Sequence, residues 1–263
     1  PTLEPGVFLR RLEQGTPLYD SGTLVRYVEA EEALLAEERP ELVVGDFRPS
    51  LAISCRRAGI PYANLCNAHW SPFSTQRVPT PELPVVRVLG EKLGGRLVRT
   101  VAPLAFAWHV HAFNRTRRLF GLKPCSGLRE MYTGGDWTLY VDLPRLVPTR
   151  GAPASHRYLG PVLWSPPVEL PAWWEALDAR RPLVYVTLGS SGALSVLPAL
   201  LRMLAELPVQ VALATAGRAC PEPLPANIFR AEYLPGDRVL KRAMLCVCNG
   251  GAATGYQALS RGV

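Results

Sequence analysis

The residues between Asn249 and Gln257 have the composition of an anion-binding corner. They read Asn-Gly-Gly-Ala-Ala-Thr-Gly-Tyr-Gln and follow an apolar run, 244–248, that is typical of a buried strand. Gly250 and Gly251 let the backbone turn and let a ligand approach without a Cβ in the way. A helix beginning near Ala252 would direct its free N–H groups and the positive end of its dipole at the same space. Phosphate is the usual occupant of such a corner.

Further hydrogen-bonding groups surround this corner. Asn249 carries an amide N–H, Thr254 adds a hydroxyl in the first helical turn, and Gln257 lies one turn further on, where it can reach a ribose. A similar corner ends the apolar run 182–189, with Gly189 and Ser190 (and Ser191 after them) as small donors. The two corners together suit a diphosphate, although glycine-rich turns also occur for packing reasons alone. Neither corner reads GxGxxG or GxxxxGK[ST], which disfavours nicotinamide and Walker-type sites.

The pattern along the chain predicts the α/β class with parallel sheets. Short apolar, β-branched runs alternate with amphipathic helical segments, which is the signature of βαβ units. Asp20 and Ser21 can cap a helix that ends before Pro40, and Gly59 ends the next helix. A long basic and apolar helical region covers 85–122. The predicted strands are 41–47, 60–66, 137–142, 182–189, 209–215, 227–234 and 244–248.

A proline-rich segment without regular hydrophobic periodicity divides the chain into two parts. Residues 158–181 contain prolines and no regular period before Trp173, so they predict an interdomain linker leading into a short helix. We therefore expect one domain over 1–157 and another over 182–263. Ligands of such domains bind beyond the carboxyl ends of the parallel strands.

Composition and charge narrow the classes of partner. The 263 residues are 48% hydrophobic and carry a net charge of +7, with basic residues clustered among apolar ones at 87–99 and 115–123. These helices can be solvated faces, a contact with a membrane surface, or a nucleic-acid surface, and no nucleic-acid motif supports the last. The six cysteines form no CxxC pair, so we expect buried hydrophobic thiols, no metal site and a reducing, cytoplasmic setting.

Taken together, these motifs resemble the family 1 glycosyltransferases, the UDP-glycosyltransferase-like enzymes of GT-B architecture. Their carboxyl-terminal signature has W-x-P-Q, then H-x-G-x-x-S/T-x-x-E-A-L-x-x-G-V-P, and this chain reads YLPGDRVLKRAMLCVCNGGAATGYQALSRGV. The segments LVVGDF, GIPYANL, YLGPVLW and LVYVTLGSS extend the resemblance over most of the chain. It implies two doubly wound Rossmann-like domains facing a cleft, with the acceptor bound by 1–157 and the nucleotide sugar by 182–263.

The resemblance also assigns roles to individual residues. Tyr233 stands where a tryptophan stacks on the nucleobase, and Gly236 replaces a glutamine beside it. Asn249 replaces the histidine at the diphosphate, whereas Gly251 and Thr254 keep the phosphate-binding pattern. Gln257 replaces a glutamate that accepts from ribose hydroxyls, and a glutamine accepts more weakly than a carboxylate. These differences leave a UDP-sugar and a dTDP-sugar both open.

In the amino-terminal half, the resemblance assigns Asp46 to the aspartate that orients a general-base histidine. None of the chain's histidines occupies the place of that base, and Asp46 can also be a simple strand-end cap. The residues Asn67, His69 and Trp70 follow the next strand and are expected in the acceptor cleft, although His69 can equally be a structural or surface residue. The apolar and aromatic character of this region favours a lipophilic acceptor.

The expected activity is inverting transfer of a sugar to a hydroxyl group, with no metal and no cofactor beyond the nucleotide sugar. Because the family's motifs continue beyond both ends of this sequence, we expect a piece lacking the first and last βα units, inactive by itself. The alternatives are a non-catalytic GT-B-like protein that binds a nucleotide or a partner, and an epimerase of the same architecture. An epimerase needs further carboxylates in the cleft, and the sequence offers only Asp46.

Overall fold

The chain folds into two units, each organised around its own parallel sheet. The computed structural model describes residues 4–76, 80, 84–190 and 192–263. Its contacts divide the chain into Pro1–Gly160 and Pro161–Val263. The predicted α/β class with parallel sheets is therefore confirmed.

The first unit contains a four-stranded sheet with strand order β1-β2-β3-β4, all parallel. Helix α2 begins after Asp20, whose carboxylate accepts from the Thr23 N–H at 2.7 Å, as the predicted cap requires. Helix α3 ends at Gly59 with a φ of 69°, a conformation that glycine adopts without strain. The elements are α1 Pro5–Glu13, α2 Ser21–Glu38, β1 Val43–Asp46, α3 Leu51–Ala58, β2 Tyr62–Cys66, α4 Pro84–Leu119, α5 Leu128–Met131, β3 Trp137–Tyr140 and β4 His156–Tyr158.

The second unit contains a four-stranded parallel sheet with strand order β7-β6-β5-β8. Strands β5 and β6 are buried at every position, because neighbouring strands and helices cover both of their faces. The elements are β5 Leu183–Thr187, α6 Leu197–Ala205, β6 Gln210–Ala214, β7 Ile228–Ala231, α7 Gly236–Val239, β8 Leu245–Cys248 and α8 Ala252–Ser260.

The segment 158–181, predicted as a linker, packs against the second unit for most of its length. Trp174 and Leu177 lie in that unit's core, and the Trp173 indole N–H donates to the Arg230 carbonyl at 3.0 Å. The side chain of Gln210 accepts from the Asp178 N–H at 2.9 Å. Trp173 and Trp174 are therefore packing residues that attach this segment to the sheet.

A buried polar cluster joins α2 to α3 in the first unit. The Glu31 carboxylate is 8% exposed and accepts from Arg48 Nε at 2.8 Å, Ser50 Oγ at 2.6 Å and Ser54 Oγ at 2.9 Å. A buried carboxylate is tolerated only when its lone pairs are satisfied, and this one has three donors.

The six cysteines are all free thiols. Cys55, Cys66 and Cys125 are buried, as predicted, whereas Cys220, Cys246 and Cys248 are half-buried. Burial raises the pKa of the Cys55 thiol to about 11 and that of Cys66 to about 12. These two thiols are therefore protonated near neutral pH and behave as small hydrophobic side chains.

Candidate functional site

The carboxyl edge of the second sheet contains a topological switch point. From β5 the chain proceeds to β6 and β7 on one side and then returns to β8 on the other side of β5. The loops after β5 and β8 therefore leave the sheet in different directions and open a crevice between them. In open parallel sheets, ligands bind at such a crevice.

The two predicted corners meet at this switch point. Gly189 follows β5 with a φ of 60°, and a Cβ built on it would lie 3.8 Å from Asn249 Nδ2. Asn249 follows β8, and its Oδ1 accepts from the Gly251 N–H at 3.2 Å. The amide oxygen is thus turned toward its own loop and the amide nitrogen toward the Gly189 corner.

The corner after β8 leads directly into a helix. Helix α8 begins at Ala252, with Gly251 as its N-cap and no side-chain capping bond, and Gly250 has a φ of 77°. Its first N–H groups therefore remain available at the crevice, with the half-buried Thr254 in the same turn.

The corner after β5 differs from the prediction that a helix opens there. A 3₁₀ turn, Leu194–Val196, comes first, and α6 begins only at Leu197 with a proline in its first turn. Proline is favoured in the first turn of a helix because a backbone N–H there has no acceptor within the helix. Ser190 is exposed in the loop, and Ser191 lies outside the described residues.

Two further residues shape the β5 corner, and the sequence did not single them out. Arg218, after β6, donates from Nη1 to the Gly192 carbonyl at 2.5 Å and to the Gly189 carbonyl at 3.3 Å. A Cβ on Gly192 would lie 2.2 Å from the Leu188 carbonyl oxygen and 3.0 Å from Asn249 Cβ. Looking for polar residues just after each strand would have found Arg218, because carboxyl ends of parallel strands share one edge.

The predicted nucleobase residue also lies at this edge. Tyr233, 49% exposed, follows β7, and its hydroxyl would lie 3.8 Å from a Cβ built on Gly217 in the loop after β6. Glu232 is exposed beside Tyr233, and its Oε1 atom would lie 3.1 Å from the same Cβ. The loops after β6 and β7 thus present an aromatic ring, a carboxylate and a glycine with a φ of 74°.

Gln257 lies on α8 but is engaged elsewhere. Its Nε2 donates to the Trp164 carbonyl and to Ser165 Oγ, the latter at 3.1 Å. A Cβ on Gly236 would lie 2.6 Å from Gln257 Oε1, so glycine at 236 makes room for this side chain. Gly236 and Gln257, which both differ from the family signature, are therefore packed against each other. A glutamate at 257 would have no N–H to donate to the Trp164 carbonyl.

The carboxyl edge of the first sheet brings the other predicted residues together. Asp46 ends β1 and is exposed, and among the described residues nothing hydrogen-bonds its carboxylate. Phe47 follows with a φ of 49°, an uncommon conformation for a residue that is not glycine. Its ring stacks on that of Tyr132 with the ring centroids 4.1 Å apart, and the centroid of the Trp70 ring lies 5.5 Å away. Phe47 and Trp70 are half-buried, whereas Tyr132 is buried in the core, so the first two rings form an aromatic surface beside the end of β1 with the third beneath them.

The loop after β2 is held by a buried carboxylate that the sequence did not reveal. Asp142 follows β3, is 2% exposed, and accepts from the Ala68 N–H at 2.5 Å and from Asn67 Nδ2 at 3.2 Å. His69 lies exposed in the same loop, its ring 5.2 Å from that of Trp70. Partial loss of hydration lowers the pKa of His69, although the charge of Asp142 opposes the shift.

The described ranges contain no cluster of three or more histidine, cysteine or acidic side chains arranged to hold a metal ion. Across the same ranges, no helix combines the length and the apolar character needed to cross a bilayer.

Comparison with known proteins shows close relatives among mycobacterial enzymes. A PGL/p-HBAD biosynthesis glycosyltransferase of Mycobacterium tuberculosis strain H37Rv is 47% identical over 256 residues, which cover 97% of this chain and 60% of the relative. A PGL/p-HBAD biosynthesis rhamnosyltransferase of Mycobacterium bovis strain BCG is 48% identical over 257 residues, covering 97% and 57%. The chain therefore spans about 60% of the length of these curated relatives. No protein-family model matches the chain.

A third relative is described differently. An inactive PGL/p-HBAD biosynthesis glycosyltransferase of Mycobacterium bovis strain BCG is 46% identical over 197 residues, covering 74% of this chain and 54% of the relative.

Solved structures share the fold at low sequence identity. A Streptomyces glycosyltransferase complexed with thymidine diphosphate has a TM-score of 0.60 and 19% identity, and the alignment covers 100% of this chain and 60% of that one. The spinosyn rhamnosyltransferase has a TM-score of 0.59 and 17% identity, covering 98% and 60%. The chain is therefore homologous over 97% of its length to PGL/p-HBAD biosynthesis glycosyltransferases, and it shares with solved glycosyltransferases the fold expected of the family 1 enzymes of GT-B architecture.

Proposed function

We propose that the protein is a nucleotide-sugar-dependent glycosyltransferase whose donor diphosphate binds between the Gly189–Ser190 corner and the Asn249–Thr254 corner. The observation that carries this proposal is the meeting of the two corners at the switch point, with the Asn249 amide nitrogen directed at the Gly189 corner. Backbone N–H groups at the start of α8 supply the donors that a phosphate needs. Tyr233 is exposed after β7 and can stack on the nucleobase.

The same groups would stabilise the leaving group. As an acceptor hydroxyl attacks the anomeric carbon, negative charge grows on the departing diphosphate. The α8 N-terminus, Thr254 and the Asn249 amide face that charge without a metal ion. Direct displacement of this kind inverts the anomeric carbon. We assign no further cofactor.

For the acceptor, we propose the carboxyl edge of the first sheet. The half-buried rings of Phe47 and Trp70 form an aromatic surface there, supported from beneath by the buried Tyr132, and this surface favours a lipophilic acceptor. Asn67 and His69 lie in the adjoining loop. Asp46 would orient a general base, and none of the described histidines hydrogen-bonds it.

Replacement of Thr254 tests the donor site. We expect Thr254→Ala to weaken binding of UDP or dTDP to this chain about 10-fold, because one hydrogen bond to a charged phosphate is lost. Isothermal titration calorimetry measures the effect, with ADP as the third nucleotide. Ser260→Ala, at the opposite end of the same helix, should retain the affinity of the unchanged chain. Equal affinity in Thr254→Ala, or no binding by a chain that circular dichroism shows to be folded, would remove the donor-site assignment.

Arg218 should affect diphosphate binding indirectly, by fixing the position of the corner after β5. Because its guanidinium holds the Gly189 and Gly192 carbonyls, we expect Arg218→Ala to weaken diphosphate binding about 10-fold. Arg202→Ala removes the same charge from an exposed position on α6 and should change affinity little. Similar losses in both variants would show that only net charge matters and would rule out the positioning role.

A non-catalytic nucleotide-binding protein is the second candidate function. It is favoured by the relative described as inactive and by Asn249 and Gln257, which stand where the family signature has histidine and glutamate. The two candidates are separated by release of nucleoside diphosphate from UDP- and dTDP-sugars, measured on the full-length protein. Nucleotide binding without any release or transfer would favour the second.

A further inference from the structure

The middle of α4 presents an apolar stripe to solvent. Beyond Gly90, whose φ of 74° interrupts the helix, five apolar side chains recur at spacings of four, four, three and four residues and therefore share one face. Each is substantially exposed, with fractions from 46% to 71%. The stripe consists of Leu93 62%, Leu97 46%, Val101 48%, Leu104 71% and Trp108 54%.

The rest of the helix explains why this stripe is held outward. Beyond Trp108, Val110 and Phe113 are buried in a core shared with α2 and α3. At the start of the stripe, Gly94 and Gly95 are buried against the chain that precedes Gly90, where Cβ atoms on them would lie 2.6 Å from Val86 Cα and 3.1 Å from Thr80 Oγ1, respectively. The helix is thus anchored in that core beyond Trp108 and packed on its own preceding segment at Gly94 and Gly95, while residues 96–109 between these contacts are exposed or half-exposed. An apolar stripe on a surface helix normally faces another apolar phase.

The charges on α4 indicate what that phase is. The helix contains seven arginine and lysine residues and a single acidic residue, Glu91. Lys92, Arg96 and Arg99 are exposed and flank the stripe along one side. A row of cations beside an apolar face complements the anionic headgroups and acyl chains of a membrane surface. A second copy of this face would instead bring like charges together, which opposes self-association.

We propose that α4 docks on anionic lipid bilayers, with the Leu93–Trp108 stripe in the headgroup–acyl boundary and the basic row over the headgroups. The stripe extends about 22 Å along the helix, long enough to lie in the interface plane. Trp108 is suited to that level because its ring is amphipathic. The proposal is independent of the donor site, since no residue of the second unit takes part.

Vesicle cosedimentation of the 263-residue chain tests this proposal, with phosphatidylcholine alone or mixed with phosphatidylglycerol. We expect binding only to the anionic mixture, weakening as salt rises. Leu104→Asp should lower the partition coefficient about 10-fold or more, because a charge enters the apolar boundary. The double variant Lys92→Ala/Arg96→Ala should lower the partition coefficient about 25-fold, because each cation near the membrane surface contributes roughly fivefold. The matched control is Met203→Asp, an exposed apolar residue on α6, which should bind like the unchanged chain.

The outcomes separate membrane docking from its rivals. Circular dichroism confirms that each variant is folded. Absence of vesicle binding, or equal binding by Leu104→Asp and Met203→Asp, overturns the proposal. If Leu104→Asp instead converts a dimer into a monomer in analytical ultracentrifugation, and the unchanged chain ignores vesicles, the stripe is a protein interface and the proposal is wrong.

Discussion

Gly192→Ala is expected to lower the free energy of unfolding by about 2–3 kcal/mol and to weaken nucleoside diphosphate binding about 100-fold. The Cβ would lie 2.2 Å from the Leu188 carbonyl oxygen, and that carbonyl already accepts from the Gly192 N–H at 3.0 Å. It would also lie 3.0 Å from Asn249 Cβ. The backbone after β5 must therefore move, and with it the corner that faces Asn249.

Two measurements keep the consequences for stability and for binding separate. Urea denaturation reports the packing conflict directly, whereas calorimetry with UDP and dTDP reports the donor site and depends on the proposed function. Gly255→Ala is the matched control for stability, because a Cβ there meets nothing within 4 Å and α8 should gain up to about 1 kcal/mol of helix propensity. Unchanged stability of Gly192→Ala would contradict the packing of this corner.

Glu31→Ala is expected to lower the free energy of unfolding by about 3 kcal/mol. The carboxylate accepts from Arg48 and from the hydroxyls of Ser50 and Ser54, and it is 8% exposed. Its removal takes away the acceptor that these three donors share, in a region that water reaches poorly. The loss of a buried acceptor is costly because its former partners stay desolvated.

The neighbouring acidic residue provides the control for this effect. Glu32 pairs with Arg57, but this pair is more exposed, with side-chain accessibilities of 27% and 39%. Glu32→Ala should therefore cost no more than about 1 kcal/mol. Chemical denaturation of both variants gives the comparison. Equal losses would mean that the Glu31 cluster contributes no more than a surface ion pair.

Local signals determined much of the secondary structure. Asp20 and Gly59 fixed helix ends because capping depends on a few adjacent residues. The seven predicted strands all form, since each is a short apolar, β-branched run that pairs with a neighbouring strand. Strand β4, His156–Tyr158, was missed because its three residues have no apolar pattern and are strand only through pairing with β3. Helix α1 was missed as well.

The sequence by itself also located the glycine corners at Gly189 and Asn249–Gly251, because the residue types that suit a tight turn and a close approach are readable one by one. Their meeting was decided only by the strand order β7-β6-β5-β8, which places β5 beside β8 although 57 residues lie between the end of β5 at Thr187 and the start of β8 at Leu245. The same holds for Arg218 on the Gly189 and Gly192 carbonyls, for Asp142 beneath the Asn67 loop, and for Gln257 against Gly236. Each of these contacts joins residues that are distant in sequence and that only the tertiary fold brings together, so no pattern of adjacent residues reveals them.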